Sequence, residues 1–132
     1  MPSPKVLAAV GTTLVVFGGT IPKFLLNIFS YLYGSVYIDV LGLLTLGGFL
    51  LWISGNLINY FAWRGLAGGK DTLVGLLFII SALIHIQPII MLVYMLFIPL
   101  PFGIPPFEFF MVALYTLIAF GYFSVGYRLT RV

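Results

Sequence analysis

Apolar residues run along this chain in four long blocks, and the polar positions mark where each block stops. The first follows Lys5 as VLAAVGTTLVVFGGTI and reaches Pro22 and Lys23. The second extends from about Ile38 to Trp63, with Asp39 near its start and Arg64 just past its end. The third, Thr72 to Ile98, holds 27 residues without a formal charge. At 1.5 Å per residue that is roughly 40 Å of helix, enough to cross a bilayer with tilt. The fourth runs from Phe107 to Tyr127 and closes on Arg128 and Arg131.

The segments between the blocks differ in kind. Pro22 disfavours a helical Ile21 and removes a backbone donor, so the first helix is expected to end or kink there. In residues 24–37, Phe24, Ile28 and Leu32 recur at helical spacing, while Tyr31, Tyr33 and Tyr37 suit the headgroup layer. That pattern predicts a short interfacial helix; the rival reading is one long kinked helix from about 5 to 33. GLAGGKD, before Thr72, is a Gly-rich turn of the length an antiparallel hairpin needs. PLPFGIPP, after Ile98, has four prolines in eight residues and cannot be helix or central strand. The expected architecture is therefore an all-α integral membrane protein in a single domain. Its four transmembrane helices cover about 5–22, 38–63, 72–98 and 107–127, forming a four-helix bundle, with an interfacial helix at 24–37.

Composition agrees with that class. Hydrophobic residues make up 62% of the 132 residues and charged residues 7%, which leaves no polar stretch able to hold a soluble domain. The net charge of +3 comes from six scattered cations, so no nucleic-acid patch is read. With no cysteine, disulfides, thiolate nucleophiles and Cys-ligated metal centres are excluded. The N-terminal apolar run shows no convincing cleavage site and is expected to be retained.

Charge then sets an orientation. With four spans, the N-terminus, the 64–71 loop and the C-terminus share one side, which collects Lys5, Arg64, Lys70, Arg128 and Arg131 and leaves Lys23 alone opposite. The positive-inside rule places both termini in the cytoplasm of a multi-pass plasma-membrane protein. The three acids, Asp39, Asp71 and Glu108, each fall at the start of a block, where a carboxylate complements the helix dipole and accepts orphan N–H groups. None is left for a proton or cation relay in the membrane interior.

Few polar side chains remain as candidates. His85, the chain's one histidine, lies midway through the third block, followed by Gln87 and Pro88. It reads first as a neutral imidazole satisfied among helices, beside the carbonyl that Pro88 frees and the Trp52 indole. Its sharper alternatives are a cofactor ligand that needs a second ligand from a partner chain, or a proton shuttle. Asn56 and Asn59, three residues apart, read as glue between helices, with a conduction path as the alternative. His85 and Gln87, two apart, point to nearly opposite sides of a helix. Gly11 and Gly18, Gly48 and Gly55, Gly75 and Ala82, and Ala119 and Gly126 each stand seven apart, one small pair per block. Such pairs let helices approach closely.

No Ser/His/Asp set, H-E-x-x-H, P-loop or dinucleotide fingerprint occurs. The expected function is thus a non-catalytic accessory or structural subunit of a larger membrane assembly, for instance an energy-converting, respiratory-type complex. It would need no cofactor or metal of its own, and its partners would be the bilayer and other integral membrane subunits. The rivals are a small homo-oligomeric channel or transporter and a virion or coat membrane protein.

Overall fold

A computed structural model describes residues 2–33, 38–96 and 106–131. Its four helices are α1 (Pro4–Tyr33), α2 (Ile38–Gly65), α3 (Thr72–Leu96) and α4 (Pro106–Thr130), and no strand occurs among the described residues. They fold as two compact units, Met1–Gly69 and Lys70–Val132. In the first, α1 packs along α2; in the second, α3 packs along α4.

The helix ends follow from local chemistry. Ser3 precedes Pro4, and its Oγ accepts the Val6 N–H at 3.3 Å, while proline in the first turn has no N–H to leave unmet. Asp71 caps α3: its Oδ1 accepts the Val74 N–H at 3.2 Å. Between α2 and α3 the chain turns through Ala67 at φ 50° and Gly68 at φ 84°. Only the glycine takes this left-handed backbone without steric cost.

One expectation is corrected. α1 does not break at Pro22; it continues through it to Tyr33, as the long-helix rival has it, so no separate helix begins at Phe24. A proline inside a helix deletes one hydrogen bond, here the one its N–H would give to the Gly18 carbonyl. The freed carbonyl and the ring both lie at the seam with α2. The Gly18 oxygen faces Gly48 on α2, where a Cβ would lie 3.1 Å from that oxygen and 2.6 Å from Pro22 Cγ. The proline ring therefore sits in the notch that Gly48 leaves, a long-range contact made at the level of the missing bond. Residues 34–37 of the expected interfacial segment and 97–105, which contain the Pro-rich loop up to Pro105, lie outside the described residues, as do the side chains of Lys23, Asp39, Pro88 and Glu108.

Both hairpins are held by the small pairs. A Cβ on Gly55 would stand 2.6 Å from the Gly11 carbonyl oxygen, and one on Gly18 2.7 Å from that of Gly48. A step of seven up α1 thus matches a step of seven down α2, which fixes an antiparallel register. The second unit repeats the device: Gly75 and Gly126 face each other, each Cβ position 2.8 Å from the other's carbonyl oxygen. Ala82 and Ala119, one heptad along, are both buried. Backbones this close gain dispersion contacts and Cα–H···O=C bonds.

The large side chains stand outside. Buried positions in the first hairpin are mostly small or polar, such as Ala8, Thr12, Val15, Asn59 and Ala62, whereas Phe17, Phe24, Leu46, Leu50, Leu57 and Phe61 are exposed. Water would penalise this arrangement and lipid would not. Three helices carry stretches long and apolar enough to cross a membrane: Pro4–Pro22, Gly42–Gly65 and Phe110–Thr130. Among the described residues α3 contributes a shorter apolar stretch, Thr72–Gln87. Together these features suggest a membrane-embedded chain.

Candidate functional site

Among the described residues four polar side chains of the helices are buried, Thr12 and Asn59 in the first hairpin and Ser81 and His85 in the second, so each hairpin has its own candidate site. In the first, Asn59 is 1% exposed and lies against Gly11, its Oδ1 occupying the place a Cβ of Gly11 would take. Glycine at 11 is therefore what admits an amide to the seam. Asn56, one turn away, is half-buried and turns back on its own helix, its Nδ2 donating to the Trp52 carbonyl at 3.0 Å. Trp52 is buried where its backbone meets Gly18, and its ring tilts against Phe49 with centroids 5.9 Å apart.

The second hairpin carries the denser cluster. Ser81 and His85 are both buried, one turn apart on the face of α3 that meets α4. The Ser81 hydroxyl donates to the Leu77 carbonyl at 3.1 Å, the usual way a serine is satisfied inside a helix. His85 Nδ1 lies 2.7 Å from the Ser81 carbonyl oxygen. A carbonyl only accepts, so this bond places the proton on Nδ1 and makes Nε2 the acceptor end of the neutral ring. Tyr115 and Tyr122 of α4 flank the imidazole, with ring centroids 5.9 and 5.5 Å away, and Phe78 closes edge-on against Tyr122 at 5.5 Å.

Sequence reasoning named neither tyrosine as a partner of His85. The signal was present in the small-residue stripe. Tyr115, Ala119, Tyr122 and Gly126 follow one another at steps of four, three and four, so whatever face carries the alanine and glycine also carries the two rings. Since Ala119 and Gly126 meet α3, the tyrosines reach the level of His85 with them.

The chemistry open to this cluster is limited by its burial. His85 is 1% exposed beneath two aromatic rings, so axial ligation of a partner's haem would require those rings to move. No group of three or more metal-ligating side chains occurs among the described residues. Gln87, two residues on, is exposed, while Trp52 belongs to the other unit.

The basic residues gather at hairpin ends. Pro4 Cγ comes within 3.3 Å of a Cβ position on Gly65, which brings the start of α1, with Lys5, to the end of α2, with Arg64. In the second unit Gly75 meets Thr130, so Lys70 lies at the same end as Arg128 and Arg131. All five cations are exposed. No family model matches the chain, and no curated protein or solved structure matches it.

Proposed function

We propose that this chain is a small non-catalytic, four-span membrane subunit that works as an accessory or structural component of a larger membrane assembly, with both termini in the cytoplasm. The observation that carries the reading is the distribution of side chains in each hairpin. The closest helix approaches fall at small residues, and most of the large aliphatic and aromatic residues face outward, where lipid or neighbouring subunits would meet them, with Trp52, Phe78 and Leu129 as buried exceptions. α3 is the fourth span, its apolar sequence continuing from Thr72 to Ile98. His85 acts as a packing group that ties α3 to the α4 tyrosines. The basic ends of the two hairpins support a cytoplasmic placement of Lys5, Arg64, Lys70, Arg128 and Arg131.

A channel or transporter asks for polar side chains aligned along one path. Asn59 and His85 are each enclosed in the seam of a different hairpin, and Gln87 faces away from His85, so that reading has less support. The test is mild detergent extraction from native membranes followed by mass measurement of the intact particle. The subunit reading expects other integral membrane chains to co-migrate in fixed ratio. A particle holding this chain alone, active in a solute-flux assay, would favour the transporter.

A further inference from the structure

Three exposed cations stand at the end of the second hairpin where Gly75 meets Thr130: Lys70 just before α3, and Arg128 and Arg131 at the end of α4. The Arg131 N–H still donates to the Tyr127 carbonyl at 3.0 Å, so the two arginines, three residues apart, share one side of a helix. Among the described residues, none of these three side chains forms an ion pair or a hydrogen bond. The chain has only three acids to offer them. Glu108 lies at the other end of α4, roughly 30 Å of helix from Arg128, and Asp39 at the end of α2 away from the turn that leads to Lys70. Asp71 caps α3, its Oδ1 accepting the Val74 N–H. The helix dipole accounts for arginines at the C-terminus of α4. It does not account for Lys70, which stands at the positive end of α3.

We infer that this end of the α3–α4 hairpin binds the headgroup phosphate of an anionic phospholipid, held by Arg128 and Arg131 with Lys70 adding a third positive charge. Depth and charge select that ligand. Arg128 and Arg131 close the apolar stretch Phe110–Thr130, so in a membrane they stand at the headgroup layer, with Tyr127 exposed beside them. A guanidinium fork matches phosphate oxygens two at a time, and basic residues clustered beside a span hold anionic headgroups. A zwitterionic headgroup carries its own ammonium and would leave the excess positive charge unmet. The site rests on the membrane-spanning reading proposed above, and adds to it a ligand and the residues that hold it.

The test begins with fractionation of cells expressing the full chain; absence of the protein from the membrane fraction would defeat the membrane reading itself. Protein extracted in a neutral detergent is then titrated with phosphatidylglycerol or with phosphatidylcholine, and the lipid retained on the intact chain is read by native mass measurement. The unaltered chain is expected to retain phosphatidylglycerol in preference. Its apparent affinity should fall about tenfold in Lys70→Gln/Arg128→Gln/Arg131→Gln. Lys5→Gln/Lys23→Gln/Arg64→Gln removes as many cations from the first hairpin and should leave that affinity unchanged. Equal retention of the two lipids by the unaltered chain, equal loss in both triple variants, or displacement of the lipid by millimolar inorganic phosphate would each overturn the site. So would release of a protein, in place of lipid, by the second-hairpin variant from particles extracted from native membranes.

Discussion

Gly55 lies against Gly11 so closely that a Cβ on it would stand 2.6 Å from the Gly11 carbonyl oxygen and 2.7 Å from the Val15 backbone nitrogen. Both obstacles are backbone, so neither can rotate away. Gly55→Ala must therefore part α1 from α2, at about 1–3 kcal/mol for a forced overpacking. Gly42, on the same helix, has nothing within 4 Å of its Cβ position, and Gly42→Ala should leave stability unchanged or slightly raised. Reversible unfolding of the purified protein in mixed micelles measures both.

Pro22 and Gly48 should be energetically coupled. Gly48→Ala forces the proline ring out of its notch and is expected to destabilise; Pro22→Ala in the same chain should recover part of that loss. The double-mutant cycle is expected to give a coupling of about 0.5–3 kcal/mol, the range for residues in contact. Additive effects would mean that the ring does not occupy the notch.

Each hairpin carries its own seam, so damage to one should stay local. Gly55→Val is expected to abolish close α1–α2 approach, read as loss of a disulfide between cysteines placed at Ala8 and Ala62. Cysteines at Ala82 and Ala119 in the same background should cross-link as in the parent. Loss of both would show that the two units fold as one cooperative body.

How much of this was legible beforehand depends on the range of the interaction concerned. The glycine and alanine pairs declare the seam faces because seven residues are nearly two helical turns, a property of the helix itself. The Asp71 cap is likewise local. The setting of Pro22 was not legible, because its ring packs at Gly48, 26 positions away in a different helix. Nor was the company of His85: α4 has aromatic rings on several faces, and only the α3–α4 register shows that Tyr115 and Tyr122 are the two that matter. Asn56 and Asn59 share a helical face by spacing, yet Gly11 draws one into the seam while the other bonds to its own backbone.

His85 should behave as a packing residue. His85→Leu loses the bond to the Ser81 carbonyl and the polar side of two ring contacts, and is expected to lower the stability of the second hairpin by about 1 kcal/mol. His85→Gln keeps a donor and should assemble normally. The purified chain is expected to show no haem absorbance. A haem spectrum that disappears on His85→Gln would contradict the packing role.

The central claim, a chain that crosses the membrane four times as two hairpins with their basic ends in the cytoplasm, is tested most directly by labelling single cysteines in intact cells with a membrane-impermeant thiol reagent. Gly103→Cys, between α3 and α4 in the sequence, should label from outside. Gly68→Cys, in the turn between α2 and α3, should label only after the membrane is permeabilised. Labelling of Gly68→Cys but not Gly103→Cys would reverse the orientation, and labelling of both in intact cells would contradict α3 as a membrane span.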